Sequence, residues 1–108
     1  MLISDSRLEL ALTKLAHTDG PIADLRASME RAEFKAKATK DAIFLRLEGS
    51  VAERQAKAGT DDAYTNAMDQ YFDLLRLYEQ MKNERAREVI IIDCWRSMNS
   101  TRNKGIIT

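Results

Sequence analysis

Cysteine occurs once in the 108 residues, at Cys94, so an internal disulfide framework and a cysteine-rich zinc site are both excluded. A lone thiol beside Trp95 reads as a small apolar side chain in a reducing compartment, which makes the cytoplasm the expected location. Histidine also occurs once, at His17, next to a turn signal and without the serine, cysteine or carboxylate partner of a catalytic relay. No glycine-rich stretch has the spacing of a phosphate-cradling loop. Charge of either sign is not in excess: 17 basic and 17 acidic side chains cancel, so no global field draws the chain to nucleic acid or an anionic membrane. Met1–Ile3 gives way at once to charge, and no apolar run approaches the roughly 18 residues of a membrane span or a signal peptide's apolar region. From these absences the expectation is no enzyme activity, no cofactor, no metal, no small-molecule substrate and no membrane partner. Asp69 with Asp73 and Glu84 with Glu88 have the i, i+4 spacing that can offer oxygens to a hard cation, but solvated helix faces carry such pairs without binding one.

Proline occurs once and glycine four times, which leaves long stretches free to be helical. The composition, 44% hydrophobic and 31% charged, is that of a soluble globular chain of one domain. From Thr60 to Met98 neither breaker occurs, and Ala63, Tyr64, Ala67, Met68, Tyr71, Leu74, Leu75, Tyr78, Ala86 and Val89 step by three and four along one helical face. The rest of the chain is organised against that segment. Ser6 and Glu9 have capping-box spacing before Leu8, Ala11, Leu12 and Leu15, and Asp19-Gly20-Pro21 reads as a corner, with Pro21 suited to a first helical position. A second row runs Ile22, Leu25, Met29, Ala32, Ala36, Ile43, Leu47, Val51 and Ala58, passing through Gly49 at a cost of about 1 kcal/mol. Gly59 fits a left-handed residue after a helix and Thr60 a cap for the next.

The expected fold is therefore all-α: a short N-terminal helix over about 6–19, then a long antiparallel, coiled-coil-like hairpin of helices over 21–58 and 60–98, and a flexible basic tail over 99–108. A bend at Gly59–Thr60 pairs Val51 with Met68, Leu47 with Tyr71 or Phe72, Ile43 with Leu75, and Met29 with Val89 or Ile90. Arms of about 55 Å make an elongated molecule. Val89–Ile92, four β-branched residues in a row, favour strand as much as helix in isolation; the helical phase before them favours helix.

Phe34, Leu45, Phe72 and Ile91 fall off the seam, and apolar patches of that kind mark an interface, so the chain is expected to be a homo-oligomer through them. In the alternative, Phe34 and Leu45 cover the first helix of their own chain. The end of the chain, Trp95 to Gly105, combines three cations, two amides, three hydroxyls and an aromatic with no acid. If the helix continues past Ser97, then Arg96, Asn99 and Arg102 share one side and, with Lys104, offer a surface for phosphate oxygens, while Trp95 stacks a base or anchors the helix end.

Two segments, EGSVAERQAKA at Glu48–Ala58 and IIIDCWRSMNSTRNKG at Ile90–Gly105, resemble a family of small helical bacteriophage and prophage proteins. That family carries E-G-S-V-A-E-R, then a spacing like the one here, then W-R-S followed by asparagine and a pair of arginines; Asn103 stands where the second arginine is expected. The resemblance implies a host-cytoplasmic accessory protein of phage DNA recombination or replication, because such genes lie near those of single-strand annealing recombinases. Its implied partners are single-stranded DNA or a recombination protein, through Trp95, Arg96, Asn99, Arg102 and Lys104. The alternative is a helical adaptor that binds other proteins through its apolar second face, without nucleic acid.

Overall fold

Ser4 starts the first helix. Its hydroxyl accepts the Arg7 N–H at 3.1 Å and its carbonyl accepts the Leu8 N–H at 3.0 Å, so the cap lies two residues before the expected Ser6. A computed structural model describes the backbone of residues 2–107 and the side chains of residues 2–103. Three helices carry this backbone, α1 (Asp5–Arg46), α2 (Val51–Thr60) and α3 (Asp62–Ile107), with no strand among the described residues. None of these helices is long and apolar enough to cross a membrane.

The helices expected over 6–19 and 21–58 are not the ones that form. Asp19-Gly20-Pro21 makes no corner: α1 is continuous through Pro21. Proline forfeits a backbone hydrogen bond and costs about 3 kcal/mol inside a helix. The buried and half-buried positions Leu8, Ala11, Leu15, Thr18, Ile22, Leu25 and Met29 keep alternating steps of three and four across it. A corner would throw every later residue of that row out of phase, and several half-buried aliphatics at about 1 kcal/mol each offset the proline.

Gly49, which the apolar row ran through, is where the long second helix ends. It is the one described residue with a left-handed backbone, at φ 117°. Leu47 N–H closes onto the Phe44 carbonyl at 3.3 Å, Gly49 takes its positive φ, and Ser50 caps α2 by accepting the Glu53 N–H at 3.2 Å. At the other end of α2, Gly59 lies within the helix and Thr60 turns its hydroxyl back to the Ala56 and Lys57 carbonyls at 3.1 and 3.3 Å. Asp61 is the junction. Its N–H reaches the Ala58 carbonyl at 3.4 Å, and its carboxylate and carbonyl accept from Ala63 and Thr65 at 2.8 and 2.9 Å. The hairpin bend expected at Gly59–Thr60 is thus replaced by a turn at 47–50, a short helix and a one-residue joint.

Val89–Ile92 are helical, and α3 continues through the 99–107 segment expected to be a flexible tail. The Thr101 hydroxyl bonds the Ser97 carbonyl at 3.1 Å, and no breaker occurs before Gly105.

The chain divides into two compact units, Met1–Ile22 with Glu79–Thr108, and Ala23–Tyr78. In the second unit Ala36, Ile43 and Ala58 are buried, and Lys40 Nζ sits 5.3 Å from the centre of the Tyr64 ring. The expected register places Lys40 opposite Glu79 instead, and it pairs Val51, which is 55% exposed. Arg54 lies 4.5 Å over the Phe44 ring, tying α2 to the last turns of α1. The first unit buries Ala11 and, at its centre, a carboxylate.

Candidate functional site

That carboxylate is Glu88, 7% exposed. Arg7 Nη2 donates to both of its oxygens at 2.7 Å, and Lys14 Nζ stands 3.4 Å from Oε1. Arg7 and Lys14 sit on α1 two turns apart and converge on Glu88 of α3. The Arg7 guanidinium bonded to it, helped by its charge and by Lys14, holds the Glu88 carboxyl below the usual carboxylate range even though burial pushes the other way. One turn before Glu88, Arg85 donates to the Leu15 carbonyl at 2.8 Å and to the Thr18 hydroxyl, with Asp19 at 3.6 Å. Arg7, Lys14, Thr18, Arg85 and Glu88 line an open groove of about 620 Å³ together with Met81, Glu84 and Ile91. Arg7 Nη1 is buried there without a hydrogen-bond partner.

A carboxylate held ionised between two cations is an ion-pair partner, not a proton carrier at neutral pH. The network does structural chemistry: it ties the first turns of α1 to the second half of α3 with charge-assisted bonds. The sequence offers Glu88 only as half of a Glu84/Glu88 pair on a solvated face; the structure buries Glu88 between two cations of α1 instead. Ala86 and Val89, the expected seam residues, are exposed, and the protected positions after Tyr78 include Met81, Arg85, Glu88, Ile92 and Trp95. The usable signal was spacing: Tyr64, Ala67, Tyr71, Leu74, Tyr78, Met81, Arg85, Glu88, Ile92 and Trp95 alternate steps of three and four without a break.

The C-terminal candidates separate. Trp95 is half-buried, and its indole N–H donates to Asp5 at 3.0 Å, which fits an anchor between α3 and the start of α1. Asn99 is half-buried, while Arg96 and Arg102 are exposed about 60° to either side of it around the helix. Arg96 has Asp93 at 3.8 Å, and the side chain of Lys104 lies outside the described residues. Of the expected interface residues, Phe34, Leu45 and Phe72 are exposed at 73%, 77% and 53%. Ile91 is half-buried in the groove beside Glu88. Among the described residues no group of three or more histidines, cysteines or acids is placed to hold a metal ion. Comparison with protein-family models, with curated proteins and with solved structures finds no match.

Proposed function

We propose that this chain is a non-enzymatic helical assembly module that works by binding protein, first of all copies of itself. The observation that carries this reading is the imbalance between core and surface. Among the described residues the buried hydrophobic side chains are Ala11, Ala36, Ile43 and Ala58, whereas ten large ones, Phe34, Leu45, Phe72 and Ile90 among them, are 44–83% exposed. At roughly 1–2 kcal/mol for each aliphatic or aromatic side chain withdrawn from water, a partner that covers several of them adds apolar burial to a chain whose own large side chains are mostly half-buried. Within each compact unit the α1 segment pairs antiparallel with the α3 segment, coiled-coil fashion. In the first unit, support comes from the order of contacts: Asp5 with Trp95, Arg7 with Glu88, and Leu15 and Thr18 with Arg85. The resemblance to phage proteins supplies the setting, in which a recombination protein is the partner beyond the chain itself.

Sedimentation equilibrium at micromolar protein is expected to give a multiple of 12.3 kDa. A monomer mass at every concentration rejects the reading.

A second reading, single-stranded DNA as ligand, is favoured by the exposed Arg96 and Arg102 on a helix that continues past Ser97. Replacing both with glutamine is expected to lower the slope of log K against log salt for a labelled oligonucleotide by about 1.4, at roughly 0.7 per phosphate contact. Wild-type protein that leaves the fluorescence anisotropy of the oligonucleotide unchanged at low salt removes this reading and leaves the first in place.

A further inference from the structure

Ala36 is wholly buried, so the direction diametrically opposite its side chain is the outermost line of α1. At 100° per residue, the positions from 27 to 45 lying within about 40° of that line are Ala27, Arg31, Phe34, Ala38, Asp41 and Leu45. All six are exposed, and they step by four, three, four, three and four, the spacing of a coiled-coil seam. Arg31 and Asp41 take part in none of the ion pairs found among the described residues.

The row is also symmetric about Ala36. Phe34 and Ala38 stand two residues to either side, Arg31 and Asp41 five, Ala27 and Leu45 nine. Each symmetric pair is complementary: a large ring with a methyl group, a cation with an anion, a methyl group with a leucine. We propose that this row is an isologous dimer seam, on which the α1 helix of a second copy lies antiparallel with its two-fold axis at the level of Ala36. Phe34 of each copy then packs over Ala38 of the other, Leu45 over Ala27, and Arg31 pairs with Asp41 twice. The parallel alternative in register sets Arg31 on Arg31 and Asp41 on Asp41, so charge selects the direction. Lys35 and Lys37 flank the row close to the axis. Lys37 has Glu33 at 3.5 Å, while Lys35 faces its own mate, keeping its ammonium in water and its stem over the seam. The seam is short and carries one unrelieved repulsion, so the dimer is a weak one.

This proposal rests on self-association and names the surface responsible. The test is charge exchange in the full chain, read by sedimentation equilibrium over a concentration series, with circular dichroism to show unchanged helicity. Arg31→Asp and Asp41→Arg each create two like-charge contacts and are expected to weaken dimerisation about tenfold or more. The double variant restores both pairs in reverse and returns to within about threefold of wild type; Lys35→Gln tightens the dimer. If wild type associates and the single exchanges leave its affinity unchanged, or the double fails to recover, the seam is wrong while the assembly reading stands. If wild type is monomeric throughout, both fall.

Discussion

Replacing Glu88 with glutamine is expected to lower the unfolding free energy by about 2 kcal/mol at neutral pH, a large effect for a substitution that keeps the side chain's shape. Glu88 is 7% exposed and lies 2.7 Å from Arg7 and 3.4 Å from Lys14; glutamine leaves those two cations of α1 without a counter-charge at a groove in which Arg7 Nη1 already lacks a partner. Arg7 retains some exposure, which keeps the loss below the 3–5 kcal/mol range of fully enclosed pairs. The effect depends on pH in a fixed direction. Because folding lowers the carboxyl below its reference value of 4.5, the contribution is complete above that pH and is lost as pH falls through the depressed value. Urea unfolding followed by circular dichroism, at matched protein concentration, therefore gives a gap between wild type and Glu88→Gln that narrows on acidification. The paired replacement Arg7→Met with Glu88→Leu recovers most of the loss, since the enclosed pair is removed together and the remaining cation, Lys14, is exposed enough to keep its water. A Glu88→Gln variant as stable as wild type at pH 7, or a gap unchanged in acid, contradicts the assigned network and the α1–α3 pairing it supports.

The all-α character was legible because nothing in the chain competes with helix over its long breaker-free segments. Much of the inner row of α1 was legible too: Leu8, Ala11, Leu15, Ile22, Leu25, Met29, Ala32, Ala36 and Ile43 are buried or half-buried where apolar spacing put them. What failed was punctuation. Pro21 carries the strongest local signal for a corner, yet the heptad phase on both sides of it outweighs one lost backbone bond. Gly49 and Gly59 look alike in sequence, and their flanks differ: Gly49 precedes Ser50 and Glu53, the spacing of a capping box, whereas Gly59 precedes no such pair. The same weighting hid the polar network, since Arg85 and Glu88 occupy seam positions by period but score as surface by hydropathy. Ala86 and Val89, apolar but each one position further along, lie on the exposed face of the second half of α3. Period, followed strictly through charged residues and through proline, was the better guide in each case.

The two glycines give the second large effect, and its sign differs between them. Gly49→Ala is expected to destabilise the protein by about 2 kcal/mol. At φ 117° an L side chain is strained, and its Cβ would lie 2.6 Å from a carboxylate oxygen of Glu53, whose N–H is the one Ser50 caps. Moving Glu53 aside relieves the collision but not the backbone strain, so Gly49→Ala in a Glu53→Ala background should still cost more than 1 kcal/mol or so. Gly59→Ala is expected to stabilise by roughly 0.5–1 kcal/mol, because Gly59 lies within α2 with open space where a methyl group would go. A hairpin bent at Gly59–Thr60 demands the reverse: Gly59 left-handed and intolerant, Gly49 mid-helix and improved by alanine. Urea titrations of the two variants at one protein concentration decide between these architectures, since the expected difference of about 3 kcal/mol changes sign with the choice. Should Gly59→Ala prove the damaging one, the turn at 47–50 is misplaced, and with it the phase that sets Ala36 inward and Phe34 outward on α1.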